Sequence, residues 1–588
     1  MTMPRTASAE SVRLVHARPG APFRDAAGRV RERGRIGGLA GIADADGSLG
    51  RALAAGLGPG AMLLVDGLAV DWDACTLDQR AVASLAEWQS TLHAGRLSEV
   101  RGAFAIAWRA RDGSVTLARD AIGERTLYYA AIGSGLAFAS TLRALLATGL
   151  VAKRIDPIAV ALYLSCAYLP GERTMIEGVR ELLPGETLAW SPAGARAARF
   201  WSLPPEPSSA APFDEVAATL DLRTLLETAV SRRLPPDPSA PIAATLSGGI
   251  DSSLVVALAR RAHPGPLATW SISFGTQYRN ELEFSSAVAA HCATDHRILE
   301  LPPNTVLAHL DDTIALLSDP IGDPLTVPNA LAFRAAGEET GVVLNGEGGD
   351  PCFGGPKNLP MLLAALLGDG AGGGPIGAHG VEAVQWSRER SFLRAHEKCF
   401  PDLRSMLAAP VAAALAEDPL EHFVRTHFAD SRWTSFVTRL QAMNLGLKGA
   451  HHILHKVDEV SFPFGVVPRS PLFDRDVAEF AFGLAPAMRL QGAVEKYLLK
   501  RAVADLLPPT IIDRPKSGML VPVEAWFRGP LLPHARERLL DGLGRRNLFE
   551  RDYLERLLAG RLPGLRPRHG AKIWLLVTLE AWLRTVLG

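Results

Sequence analysis

The sequence predicts an α/β chain of two domains, the first β-rich and layered, the second a parallel sheet flanked by helices with a helical C-terminal part. Three observations predict it. Short apolar runs separated by Asp-Gly, Gly-Glu and Gly-Ser turns fill residues 38–138, as in a domain built from strands. From residue 241 to 344, strand-like runs alternate with helix-like ones, the pattern of a parallel sheet covered on both faces. A length of 588 residues exceeds what one core supports. We set the domain bounds at 1–203, 204–240 for a linker and lead-in helix, and 241–588.

Residues 1–35, rich in Arg, Ala and Gly, show no clear periodicity and are expected to be a loose or edge segment. The runs 62–65, 102–108, 114–118, 126–129 and 135–138 read as strands, with a helix over 77–93. A helix over 156–164 and a hairpin arm over 182–190 complete the first domain. The Pro/Ser-rich stretch 204–212 is the clearest linker. Beyond it come a helix over 214–233, strands at 241–246, 268–274, 297–301 and 341–344, and helices at 284–292, 305–317 and 327–337. After Asp350 the pattern is mainly helical, interrupted by the glycine-rich 368–375, expected to be a disordered loop.

Charge excludes some partners. Basic and acidic residues number 62 each, so no overall field draws the chain to nucleic acid or an anionic membrane. Five separated cysteines with no CxxC pair argue against a zinc site or a disulfide framework. With no apolar core of a signal peptide and no long uncharged apolar run, the expected location is the cytoplasm.

Two loops carry the chemistry. Leu246-Ser247-Gly248-Gly249-Ile250-Asp251-Ser252 lies between an apolar run and a helix start, where adjacent glycines and the helix dipole favour an anion such as phosphate. It lacks the lysine of a Walker A loop. Asn345-Gly346-Glu347-Gly348-Gly349-Asp350 follows a second strand of the same array, so both loops are expected on one edge. Asp251 and Asp350 would suit magnesium shared with phosphate oxygens, as hard ligands do. Taken singly, each loop reads as well as a helix cap or a turn.

These residues resemble a known family. Ser247–Ser252 resembles the pyrophosphate loop of PP-loop synthetases, and Gly346–Gly355 resembles G-E-G-x-D-E-x-F-G-G of the asparagine synthetases. Glu495-Lys496-Tyr497-Leu498-Leu499-Lys500 and Arg514-Pro515-Lys516 resemble that family's E-K-x-x-L-(K/R) helix and R-x-K loop. In the first domain, 101–107, 118–129 and 138–140 resemble its glutaminase domain. The resemblance implies a degenerate Ntn-type glutaminase-like αββα domain and a PP-loop, adenine nucleotide α-hydrolase-like domain. It implies ATP and Mg2+, with Leu246, Ser247, Gly248, Gly249, Ser252, Ile272, Asn345, Gly346 and Lys496 on the nucleotide and pyrophosphate, and Asp251 and Asp350 on the metal. Lys516 is the expected stabiliser of charge in the reaction. Glu347 is read either as a general base or as a carboxylate bonded to loop amides.

The sequence also departs from the family. It opens Met1-Thr2-Met3 where a working glutaminase exposes a cysteine, and its first cysteine, Cys75, reads as buried packing. The expectation is a first domain without glutaminase activity, as in lasso-peptide cyclases and β-lactam synthetases. Residues 456–474 follow K-V-D-R-x-S-M-x-x-x-L-E-x-R-x-P-F-L-D, with Glu459 in place of the arginine and Val467 in place of the glutamate. Both change charge on the expected acyl side and disfavour plain aspartate. Of the adjacent His451 and His452, at least one is expected to be structural. The leading expectation is an amide-forming ligase whose peptide or small-molecule substrate supplies carboxylate and amine, with biosynthetic partner proteins and neither nucleic acid nor membrane. The alternatives are an ammonia-dependent asparagine synthetase-like enzyme and a silent nucleotide-binding scaffold.

Overall fold

The computed structural model describes residues 13–14, 40–43, 62–63, 68–78, 80–82, 85–110, 112–207, 213–355, 392–393, 398–418, 420–492, 494–514, 519–562 and 568–588. The expected loose segment 1–35, apart from residues 13–14, and the glycine-rich 368–375 lie outside these residues. So does Lys516. The chain forms two compact units, one of residues 1–156 and 171–202, the other of 157–170 and 203–588. The helix Pro157–Cys166, placed by sequence in the first domain, therefore packs with the second unit.

In the first unit, a six-stranded sheet runs in the order Gly194–Arg199, Glu186–Ser191, Val115–Arg119, Arg101–Arg109, Leu68–Leu77, Arg80–Ala81. A four-stranded sheet runs Val179–Glu181, Tyr128–Ile132, Gly135–Ala139, Ala40–Ala43. Leu117, Leu188 and Trp190 of one sheet pack with Leu136 and Phe138 of the other. The far face of the larger sheet carries Phe104 and Ile106 against Trp88 of the helix Leu85–His93. Helix Leu142–Ala147 packs on strand Gly135–Ala139 of the smaller sheet, which completes the αββα layering. The helix expected over 77–93 begins only at Leu85, because Leu77 ends a strand and Asp78 turns the chain with φ 50°.

The second unit is built on a five-stranded sheet in the order Asp295–Glu300, Leu267–Ser273, Ile242–Thr245, Val342–Leu344, Val467–Arg469, and every pairing is parallel. The chain's first strand of this sheet is its middle one. Strand order reverses there, so a crevice opens at its carboxyl end, the preferred ligand position of such sheets. Ala243 pairs with Val343 and Ala244 with Leu344, which puts the two glycine loops side by side on one edge, as their sequence positions imply. The fifth strand was not anticipated: Val467 pairs with Val342 and occupies a ladder position. The helix expected over 305–317 is two short ones, Pro303–Ala308 and Leu310–Ile314, separated by a break at His309.

Candidate active site

Strand Ile242–Thr245 is apolar and buried, and its neighbours hold it on both sides. It ends where Leu246 N donates to Trp270 O at 2.8 Å and the Ser271 hydroxyl donates to Leu246 O at 2.5 Å. Gly248 then takes φ +74°, and helix Ile250–Ala262 starts with Gly249 as its cap and no side-chain cap bond. Ser252 Oγ lies 3.1 Å from Ser247 N and 3.0 Å from Ser247 Oγ, which closes the loop on itself. The cap reading of Asp251 fails: its carboxylate instead reaches Lys496.

That contact defines the site. Lys496 is 2% exposed and its Nζ lies 2.5 Å from Asp251 Oδ2 and 2.6 Å from Asp350 Oδ1. Lys496 holds a left-handed conformation, φ 57°, at the start of helix Tyr497–Ala502, a strained position for a side-chain-bearing residue. Glycines make the convergence possible. A Cβ on Gly349 would lie 2.1 Å from Asp251 Oδ1, and one on Gly346 would lie 2.3 Å from Ser252 N. The two aspartates thus aim at one cation, which fits a magnesium ion completed by phosphate and water oxygens. Among the described residues no group of three His, Cys, Asp or Glu would hold a metal without such help.

A cleft of about 450 Å³, open mouth included, adjoins the loop. Leu246, Ser247 and Ile272 line it, and so do Ser271, Phe274, Asn280, Glu281, Met519 and Leu520. Of the latter, Ser271 and Phe274 belong to the strand expected at 268–274 and the others to loops without periodicity, and no sequence signal singled any of them out as lining residues. Asn345 is buried, and its Oδ1 accepts from Glu347 N at 3.1 Å and from the Ser470 hydroxyl at 2.9 Å. It braces the second loop and is absent from the lining of the cleft.

Glu347 sits in a charged chamber. Burial pushes its carboxyl above the ordinary glutamate range, with Lys456 opposing and Asp323 reinforcing the shift. No described residue donates a hydrogen bond to that carboxylate, which weighs against its being bonded to loop amides. Asp323 Oδ2 accepts from Lys456 Nζ at 2.6 Å and lies 3.3 Å from His452 Nε2. Burial pushes the His452 imidazole down to about 4 despite Asp323, and Tyr168 stacks on it at 5.2 Å. Glu459 is fully buried and bonded to Ser318 N (2.6 Å), the Ser318 hydroxyl and His455 Nε2 (2.8 Å), so its charge is satisfied within the core.

A description of asparagine synthase matches residues 221–584, and one of a glutamine amidotransferase domain matches residues 84–201. The chain belongs to the asparagine synthase family. It is 24% identical over 518 residues to an asparagine synthetase [glutamine-hydrolyzing] 1 of Bacillus subtilis, covering 82% of this chain and 78% of that protein. It is 29% identical over 468 residues to a putative asparagine synthetase of Mycobacterium bovis, covering 75% and 70%. It is 27% identical over 310 residues to a carboxyethyl-arginine beta-lactam-synthase of Streptomyces clavuligerus, covering 52% and 44%. As a member of this family the chain is an ATP-dependent C–N ligase, with an Ntn-type amidotransferase-like domain before a PP-loop domain. No helix among the described residues is long and apolar enough to cross a membrane.

Proposed function

We propose that this asparagine synthase family ligase activates a carboxylate as an acyl-adenylate and joins it to an amine carried by the same molecule or by a second substrate, in peptide or small-molecule biosynthesis. The observation that carries the reading is the convergence of Asp251 and Asp350 on one cation beside the pyrophosphate loop. The substrate carboxylate oxygen attacks the α-phosphorus, the α–β anhydride bond breaks, and pyrophosphate leaves. The amine nitrogen then attacks the acyl carbon, the bond to AMP breaks, and the amine loses a proton. Leu246 and Ile272 line the adenosine position, while Ser247, Gly248, Gly249 and Ser252 hold the departing pyrophosphate. Asn345 and Gly346 shape the adjoining wall. Lys496 and Lys516 offset charge that builds on the phosphates. Magnesium held by Asp251 and Asp350 would screen the same oxygens when bound. Glu347 takes the amine proton, a role supported by its raised pKa and by the lack of donors from described residues.

In this reading the first unit does not hydrolyse glutamine. Its single cysteine, Cys75, is 3% exposed at an irregularity of strand Leu68–Leu77, and its thiol donates to Ala103 O at 3.2 Å. Burial pushes that thiol well above its ordinary range, the opposite of what a nucleophile needs. A second reading, ammonia-dependent synthesis of asparagine, has support from the asparagine synthetases among the relatives. Acid-dependent exchange of pyrophosphate into ATP, coupled to a mass-spectrometric search for water loss in candidate substrates, tests the first reading. It is abandoned if Asp251→Asn and Lys516→Ala proteins exchange like wild type. Asparagine formed from aspartate, ATP and ammonium salts would establish the second.

A further inference from the structure

Arg514 is 8% exposed and reaches a part of the chain far from it in sequence. Its Nη1 donates to Gly248 O at 3.0 Å, its Nη2 pairs with Glu281, and its guanidinium lies 3.8 Å over the Phe284 ring. Gly248, at φ +74°, is pressed against the same segment: a Cβ there would lie 2.5 Å from Ser285 N and 2.7 Å from Phe284 Cβ. The loop, the start of helix Leu282–His291 and Arg514 therefore meet at one peptide group.

The direction of that peptide matters. In a trans peptide the C=O and N–H point opposite ways, so fixing the Gly248 carbonyl fixes the Gly249 N–H. That N–H donates a hydrogen bond to Ser247 Oγ at 3.3 Å, and Ser247 lines the cleft beside the loop. Glycine at this φ has little resistance to a peptide flip, and a flip would turn a carbonyl toward the anion. Glu281 neutralises the guanidinium and takes one end of its planar fork, leaving the other end for Gly248.

We propose that Arg514 is a positioning residue for ligation: held by Glu281 and stacked on Phe284, it locks the Gly248–Gly249 peptide with its N–H toward the pyrophosphate. The proposal rests on the reading of Ser247–Ser252 as the pyrophosphate cradle, and it separates Arg514 from a direct phosphate ligand. Arg514→Met and the milder Glu281→Gln and Arg514→Lys are compared with wild type in the full chain. Without nucleotide, amide hydrogen exchange in peptides spanning Ser247–Ser253 should quicken about tenfold in Arg514→Met and severalfold in Glu281→Gln, at unchanged secondary structure by circular dichroism. Calorimetry with magnesium pyrophosphate should show both variants binding at least tenfold more weakly, with Arg514→Lys in between.

Wild-type exchange in Arg514→Met overturns the proposal. So does weakened pyrophosphate binding in Arg514→Met beside wild-type or tighter binding in Glu281→Gln, which is the result for a direct phosphate contact. If wild type itself binds neither pyrophosphate nor Mg·ATP, the functional reading fails, and the exchange rates still decide whether Arg514 locks the loop. Should Arg514→Met not fold, the Glu281→Gln and Arg514→Lys results decide.

Discussion

Replacing Lys496 by methionine removes the ammonium that lies between Asp251 and Asp350 while roughly keeping the length of the side chain. The two contacts, 2.5 and 2.6 Å, join a lysine 2% exposed to carboxylates whose side chains are 15% and 38% exposed. Breaking a buried pair from one side costs about 3–5 kcal/mol, because charge is left behind without compensation. Solvent screens Asp350, so the lower end, about 3 kcal/mol, applies. For a unit of this size about 2 °C accompanies each kcal/mol, which gives a fall in melting temperature of about 6 °C in metal-free buffer. A divalent cation should then take the vacated position. At ten times its dissociation constant it returns about 1.4 kcal/mol, or about 3 °C, whereas wild type gains little because the ammonium already neutralises the pair. Scanning calorimetry of both proteins with and without MgCl2 measures this, and adding Asp350→Asn to Lys496→Met should recover most of the loss. The reasoning is refuted if metal-free Lys496→Met melts within 1 °C of wild type, or if both proteins gain equally from magnesium.

Gly349→Ala puts a methyl 2.1 Å from Asp251 Oδ1 at a position with no backbone strain, so it displaces the carboxylate; affinity for Mg·ATP by calorimetry should fall at least tenfold, about 1.4 kcal/mol. Glu347→Gln should slow amide formation by roughly 10²–10⁴ and leave ATP–pyrophosphate exchange within about twofold. In wild type the amide step should rise with pH through a pKa above the ordinary glutamate range, since burial holds the carboxyl protonated below it, and a flat profile would remove Glu347 as the base. His452, held at about 4, is neutral in the folded protein where the unfolded imidazole, near 6.5, takes up a proton. Its contribution is therefore full above about pH 6.5 and is lost as pH falls toward 4, on the order of 3 kcal/mol. His452→Phe, which keeps the ring against Tyr168, should flatten urea midpoints across that window. Cys75→Ala should leave amide synthesis unchanged, and glutamine hydrolysis by wild type that disappears in Cys75→Ala would reverse our reading of the first unit.

What the sequence carried was local. The strand, loop and helix around Ser247–Ser252 are legible because two glycines sit between a buried apolar run and a helix, a pattern with few other uses. The parallel sheet was legible from alternation, yet its fifth strand Val467–Arg469 was not, because three residues are too few to show a period. The first-unit helix was overextended because Thr76, Leu77, Arg80 and Ala81 form a hairpin in which apolar and polar residues mix much as on a helix. Long-range charge was the least legible. Nothing in the chain order says that Lys496 bridges both aspartates, or that Arg514 ends at a glycine carbonyl.

The same limit changes how the departures at 456–474 are understood. Counting charge along the chain, Glu459 and Val467 looked like alterations of the acyl side. In three dimensions Glu459 is taken up by Ser318 and His455, and Val467 by the sheet. The charges that act on Glu347 are instead those of Lys456, of Asp323, of Lys448 and of Asp350. Burial raises the Glu347 carboxyl above the ordinary glutamate range, while Lys456 beside it is paired to Asp323. If Glu347 is the base, it must shed its own proton before it can take one from the amine, which is why the amide step should rise with pH.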